Sequence, residues 1–412
     1  MFVVLVIGLA LMRESHEQPG ATIEQNFVSW LVANTTRQSP AAPLALVEIN
    51  DASLAGEHPW PWSPLDYALF LEAVLNFKPD VVGIEPPLEW NLKELPPDAQ
   101  QKFPQYEKIL HDRILRAPKI LLGAELGFPE DPDIIPPLQP VPVFKTENLT
   151  GSVNAIPEFT SIEREPREDL RLAASLGFTN LPASENGVSR APLLFRYRGQ
   201  VVPSFVLQGL MLWFKVTLDE VKINIGSQIT LGDKAKVPID SAGSMLIDWK
   251  SPLTRVSFDD LLLAVQQAES KQKPVVAPEV VRGRFALLAR TDAGVRTFDL
   301  PIGRKGSPGE LFAAAIATVQ NGHFIHRVGI WFDACVILFL MIWSWPLHRW
   351  RRRNGVIATA VLLIVYLMIG LAVFNAKLIT VPLVLPAGLA VIVMIFRLLA
   401  PRDLPRVSAT KA

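Results

Sequence analysis

From Val328 to Ala400 the sequence runs as three apolar segments, Val328–Leu347, Gly355–Phe374 and Thr380–Leu399, parted by two short polar breaks. A bilayer's hydrocarbon core is roughly 30 Å thick and takes about 20 apolar residues to cross as helix. Each segment meets that length, and breaks this short force consecutive segments to be antiparallel. The break His348–Asn354 carries four arginines in seven residues, Arg349, Arg351, Arg352 and Arg353. Basic residues in short loops stay on the cytoplasmic side. The arginine break is therefore inside, and the break Asn375–Ile379, with only Lys377, is outside. The tail 400–412, with Arg402, Arg406 and Lys411, is inside. That order sets everything before Val328 outside the cytoplasm and predicts a multi-pass membrane protein.

A domain outside the cytoplasm needs an export signal. The chain begins with Phe2–Met12, apolar but eleven residues long, with no basic region in front. The reading adopted is a partial membrane helix over 1–12 whose beginning is missing because the start lies internal to the gene. A buried strand and a cleaved signal peptide are the alternatives; Gly20-Ala21 is small, but no small-x-small cleavage site stands out.

The 412 residues carry a formal net charge of zero, so no global field recruits nucleic acid. The single cysteine, Cys335, falls inside an apolar segment. The polar region therefore holds no disulfide, no thiolate metal site and no cysteine nucleophile.

Between the apolar ends, Ile23–Asn34 has helical spacing of Ile23, Phe27, Trp30 and Leu31. Leu44–Asn50 reads as a strand buried on both faces, followed by turn chemistry at Asn50–Ser53. Ser63 before Pro64 is a helix start, with the helix over Leu65–Phe77, and Val81–Glu85 is a second strand. Strand, helix and strand form a βαβ unit with parallel, neighbouring strands. A helix over Ala99–Arg116 and a strand at Lys119–Glu125 follow. Pro129–Pro142 holds six prolines in fourteen residues and reads as a surface excursion. Leu176–Leu181 is a strand with a turn at Ala183–Gly187. Ala191–Tyr197 with Val201–Val202, and Val221–Ile225 with Gln228–Leu231, are hairpins. Ser204–Phe214 is a helix, Met245–Trp249 a strand, Phe258–Ala268 a helix capped by Ser257, Arg284–Ala289 a buried strand and Gly309–Gln320 a helix. This alternation predicts one α/β domain over 13–327 with a mixed, mostly parallel sheet and inserted hairpins, joined to the C-terminal helical bundle of 328–347, 355–374 and 380–399.

Glu48, Asp51, Glu85 and Glu89 fall at or beyond the ends of the first two strands. In open α/β sheets that edge binds ligands, and clustered carboxylates could hold a cation or act as acid and base; the structural alternative is that Asp51 caps a turn and the glutamates are solvated. Ser53 lies in the same turn. Trp60 and Trp62 could wall a ligand or pack a loop onto the core. Asn180 and Arg190 read as a hydrogen-bonded strand-and-turn pair. His323 and His326 could share a metal, but with no third ligand in view they read as interfacial residues. Asp333, one turn into an apolar segment, is either functional or hydrated beside Arg327. Trp331, Trp343, Trp345 and Trp350 lie near segment ends, as anchoring aromatics do. No His-x-x-x-His, Gly-x-Ser-x-Gly or Gly-x-Gly-x-x-Gly motif occurs, so no catalytic residue, metal site or cofactor is assigned.

Three blocks carry a family resemblance. The first is Leu46-Val47-Glu48-Ile49-Asn50-Asp51-Ala52-Ser53-Leu54 with Trp60-Pro61-Trp62 and Val82-Gly83-Ile84-Glu85. The second is Gly177-Phe178-Thr179-Asn180, Asn186-Gly187-Val188-Ser189-Arg190 and Pro203-Ser204-Phe205. The third is Ile239-Asp240-Ser241-Ala242-Gly243 with Ile247-Asp248-Trp249. In this order, over roughly Leu44 to Gly322, they resemble the CHASE2 family of extracellular sensor domains, which are flanked by membrane helices. The chain departs from the family at Asn50 and near Glu85, where acidic residues are usual. It also departs at Leu287–Thr291, and at Pro308–Ala313, where the closing motif lacks its histidine. The resemblance implies a sensor without enzymatic activity, set in a bacterial inner membrane with its large domain in the periplasm. Relatives continue into a cyclase or kinase; here thirteen residues follow Leu399, and no output domain is expected.

The expected function is an extracytoplasmic receptor that binds a small ligand or envelope signal and passes it to a separate partner in the membrane or cytoplasm. Membrane lipids surround it, and a homodimer is allowed. An extracytoplasmic α/β enzyme using the strand-end carboxylates, or an envelope scaffold, are the alternatives.

Overall fold

The structure is a computed structural model that describes residues 19–56, 58–129, 140–181, 189–327 and 352–380, with Cys335, Leu338, Phe339, Ile342, Ala387, Gly388, Val391 and Ile395. The spans expected at 1–12, 328–347 and 380–399 therefore lie largely outside the described residues. So do Asp333, most of the proline-rich stretch and the turn at Ala183–Gly187. The chain divides into two compact units, Gln38–Ile325 and the remainder, Met1–Arg37 with His326–Ala412.

In the larger unit, β1 (Leu44–Ile49) is buried along nearly its whole length, as its unbroken apolar run requires. Asn50 then caps a short helix, α1 (Asp51–Ala55), by accepting the Ser53 N–H through its side chain. The expected turn is thus a helical turn, because Asn50 supplies an N-cap rather than a hairpin corner. Helix α2 (Pro64–Asn76) starts as its residues dictate: Pro64 is the first helical residue, and the Ser63 N–H and hydroxyl both donate to Asp66 Oδ2 at 2.7 Å. Strand β2 (Val81–Ile84), α3 (Pro97–Arg116) and β3 (Ile120–Gly127) follow. Beyond them come β4 (Ser161–Arg164), α4 (Glu168–Ala173) and β5 (Ser175–Phe178).

The Ala191–Tyr197 run breaks into β6 (Arg190–Pro192) and β7 (Leu194–Tyr197); β7 forms a hairpin with β8 (Gln200–Pro203) around Arg198-Gly199. Ser204 caps α5 (Phe205–Phe214). Strands β9 (Val221–Asn224), β10 (Gln228–Leu231) and β11 (Ala235–Pro238) form an antiparallel meander. The strand expected at Met245–Trp249 is the shorter β12 (Ser244–Leu246), antiparallel to β6. The chain closes with β13 (Thr254–Ser257), α6 (Phe258–Glu269), β14 (Phe285–Arg290) and α7 (Pro308–Asn321).

The main sheet runs β13-β1-β14-β2-β3, with β5 parallel to β3 and β4 antiparallel to the far end of β3. All pairings from β13 to β3 are parallel. β1 and β2 are therefore parallel as expected but not neighbours, because β14, late in the chain, inserts between them. The βαβ rule fixes handedness and direction, not adjacency. One face packs α2 and α6 through Val47, Ile49, Phe70, Leu71, Ile84, Phe258 and Leu288. α5 and α7 contact the sheet and each other, with Phe205 and Phe312 rings 5.6 Å apart. Glycines allow the close approaches: a Cβ at Gly177 would come within 2.6 Å of the Phe205 Cα.

In the smaller unit, helix Pro19–Asn34 and a 26-residue helix, Arg352–Lys377, are described. Arg353–Lys377 is long and apolar enough to cross a membrane by length and composition, and it contains the expected span 355–374. Its apolar side chains at Ile357, Val361, Ile364, Met368 and Ile369 are exposed. Thr35 Oγ1 donates to Asn375 Oδ1 at 2.5 Å, and the His326 N–H donates to the Leu378 carbonyl at 2.9 Å.

Candidate functional site

Because six strands run parallel, their carboxyl ends share one edge, and β1, β14, β2 and β3 deliver Asp51, Arg290, Glu85 and Glu125 to it. Apolar runs put charge there at their carboxyl ends: Glu85 follows β2 and Arg290 ends β14, while Glu125 lies two residues before the end of β3 and Asp51 two residues beyond β1.

The Arg290 guanidinium is gripped by the Asp292 carboxylate in a two-point pair of 2.9 and 2.8 Å, and its Cζ stands 3.9 Å from the centre of the Trp60 ring. Asp292 also accepts the Gly294 N–H at 3.0 Å, and Asp51 Oδ1 accepts the Ala293 N–H at 2.9 Å. Beside this loop, burial first and then the charge of Glu125 push the Glu85 carboxyl up to about 7. The Arg290 backbone N–H and the Arg290 and Arg164 charges oppose that rise. Burial also raises Glu125, against Arg164, whose guanidinium lies 3.7 Å from Glu125 and 3.7 Å from Glu89. The arrangement is an acidic group half-buried in protein, one residue past the end of a core strand, whose charge is disfavoured by burial and Glu125 and favoured by two arginines. Such a group changes protonation when a nearby charge changes.

A second ionic cluster involves the same edge. Glu48, opposite Ser257 and Ala289 in the sheet, accepts from Arg255 Nη1 at 2.8 Å. Arg255 Nη2 also donates to Glu310, which receives Arg304 Nη1 at 3.0 and 2.9 Å. Glu310 is buried because it closes the capping box of α7 with Ser307. Burial raises the Glu48 carboxyl and Arg255 opposes it.

The other sequence candidates have partners within the protein. Trp62 is 1% exposed and packs on Tyr67 and Phe258 at 5.3 and 4.5 Å, with Nε1 donating to the His58 carbonyl. Its ring therefore packs the loop onto the core. Trp60 presents its ring to Arg290. Ser53 is buried and donates to Asp259 Oδ2 at 2.7 Å. Asn180 and Arg190 do not pair with each other, contrary to expectation. Asn180 bonds both the N–H and the carbonyl of Leu126, at 2.8 and 2.7 Å, while Arg190 forms an ion pair with Asp240. Each satisfies the nearer partner that the strand pairing supplies.

His323 and His326 take separate partners, and among the described residues no group of three or more His, Cys, Asp or Glu could hold a metal. His323 Nδ1 lies 3.1 Å from Ser39 Oγ and 3.7 Å from Asp248, to which Ser39 donates. The residue types are those of a hydrolytic triad, but the geometry is not: serine and aspartate converge on one ring nitrogen. The aspartate thus accepts the serine hydroxyl's hydrogen bond directly, and the imidazole does not stand between them as a relay.

A groove of about 350 Å³ lies by the amino ends of β2 and β3, lined by Lys78, Arg113 and Arg116 with Glu72. The carboxyl-terminal turns of α2 and α3 meet there, and basic residues at helix ends answer their dipoles. It is remote from the charged edge.

Arg290, Arg164, Glu125 and Glu310 were not singled out from sequence. A lone charge in an otherwise apolar strand, at the end of β14 for Arg290 and near the end of β3 for Glu125, is the signal that could have marked two of them.

Neither a curated protein nor a solved structure matches the chain. The CHASE2 domain family model matches residues 1–348. With a match over most of its length, this chain belongs to the CHASE2 domain family, a family of extracellular sensor domains.

Proposed function

We propose that the chain is a multi-pass receptor of a bacterial inner membrane. Its large domain stands in the periplasm, receives a small ligand or envelope signal at the carboxyl edge of the sheet, and passes it through its membrane helices to a separate protein. Family membership supports a sensing role. The apolar, outward-facing surface of Arg353–Lys377 supports membrane insertion, and the Arg349–Arg353 break supports a cytoplasmic face at that helix start.

The observation that carries the reading is the Glu85–Glu125 pair beside Arg164 and Arg290. A carboxyl held near 7 responds to a cation or hydrogen-bonding ligand by releasing or taking a proton, so binding has an immediate electrostatic consequence at Arg290 and its loop. The test is thermal stabilisation of the full chain in lipid nanodiscs by pools of small cations, amines and organic acids. A ligand present at a hundred times its dissociation constant stabilises by about 2.7 kcal/mol. Saturable stabilisation without turnover, lost in Glu85→Gln with Glu125→Gln, is the expected result. No response to any pool, together with a partner that co-purifies stoichiometrically, would replace the receptor with a scaffold.

A further inference from the structure

We infer that α7 is the transmission rod of the domain, coupling the charged carboxyl edge of the sheet to a polar clasp that binds the incoming and outgoing chain together. The inference rests on the reading of that edge as the sensing surface.

The rod's first turn belongs to the edge. Glu310 is held there by Arg255 and Arg304, and Gly309 lies directly on β14: a Cβ at Gly309 would fall 2.1 Å from that of Ala289, the residue before Arg290. The helix is 14 residues long, about 21 Å at 1.5 Å per residue. Every residue from Gly309 to Val319 is buried. A helix packed on all sides has no slack to bend and moves as a body by small shear shifts.

Its last turn is the clasp. Thr318 Oγ1 accepts the Asp248 N–H at 3.0 Å, and Asn321 Nδ2 donates to the Pro40 carbonyl and to Ser251 Oγ, both at 2.8 Å. Ser251 Oγ donates to the same Pro40 carbonyl at 3.1 Å. Asp248, 3% exposed, takes the Ser39 hydroxyl and the Lys250 N–H, and His323 closes on Ser39 at 3.1 Å. Ser39 and Pro40 are where the chain comes into the domain; Asn321 and His323 are where it leaves. A carboxylate this deeply buried is costly unless its partners stay in place, so the clasp is either whole or open. A few residues further along each connection, in the other unit, Thr35 and His326 are hydrogen-bonded at the carboxyl end of the helix Arg352–Lys377. A shift of α7 thus acts on both covalent connections at once.

The test uses hydrogen exchange, followed by mass spectrometry, of the full chain in nanodiscs without ligand. Gly309→Ala pushes the rod off Ala289. It should accelerate exchange roughly tenfold or more at 247–252 and 321–325 as well as at 305–312, while the β9–β11 meander stays unchanged. Asp248→Asn, which keeps the volume, opens the rod's other end. By reciprocity it should accelerate exchange at 289–296 and 305–312. It also decides the case in which Gly309→Ala loosens the whole domain. Acceleration confined to the mutated end in Asp248→Asn overturns the inference. Because no ligand enters, that failure counts against α7 alone and leaves the binding role of the edge to its own experiment.

Discussion

Replacing Glu85 by glutamine should make the domain more stable at alkaline pH and leave it unchanged at acid pH. The ordinary carboxyl value of 4.5 applies to the unfolded chain, while the folded domain raises it to about 7. Below pH 4.5 both states hold the proton and Glu85 exerts no penalty. Between the two values the unfolded chain releases its proton while the folded domain keeps it, so stability falls as pH rises. Above 7 the full cost is present: the shift corresponds to ~3 kcal/mol. Glutamine keeps an oxygen for the Arg290 backbone N–H and carries no charge, so the variant escapes the cost. For a unit of this size, roughly 2 °C of melting temperature answers each kcal/mol. Tryptophan-fluorescence melts of the full chain in nanodiscs, at half-unit steps from pH 4.5 to 8.5, should show the two proteins coinciding at the acid end. At the alkaline end the variant should melt about 6 °C higher. The difference between the two curves cancels every other titrating group. A difference that stays within ~1 °C across the range would refute the argument, because burial and Glu125 would then not be raising this carboxyl.

Trp62→Ala should cost ~3–5 kcal/mol in the same melts, since a ring packed between Tyr67 and Phe258 leaves a cavity that the loop cannot fill. A loss below ~1 kcal/mol would mean that the loop collapses freely. Asn180→Ala deprives Leu126 of partners for both backbone groups, and ~1–3 kcal/mol of lost stability is expected, with faster exchange of the Leu126 amide as the direct readout.

Local chemistry made much of the fold legible. The helix starts at Ser63-Pro64 and Ser257 follow from N-cap residues ahead of apolar periodicity, the helix after Pro203 follows from its apolar periodicity, and β1, β2, β3 and β14 follow from unbroken apolar runs. The edge strand β4 was not legible, because Ser161–Arg164 is short and polar and is a strand only through its pairing with β3. The candidate site was half visible. Glu85 and Glu89 could be placed past a strand end, but Arg164, which stands between Glu89 and Glu125, arrives on that unrecognised strand.

By itself the sequence determined the parallel α/β character, the caps, the family and one apolar helix of membrane-crossing length. Each of these is encoded within a window of neighbours, where spacing and turn chemistry act directly. Only the tertiary structure decided that β14 separates β1 from β2. That insertion brings Arg290 onto Trp60 and beside Glu85, and sets α7 against the same edge. It likewise decided that Ser39 meets an aspartate 209 positions away and a histidine 284 positions away. Strand order and buried polar clusters are choices among non-local pairings of nearly equal local merit. The pairing that buries the most apolar surface while leaving each buried charge a partner wins, and that comparison exists only once the whole domain is packed.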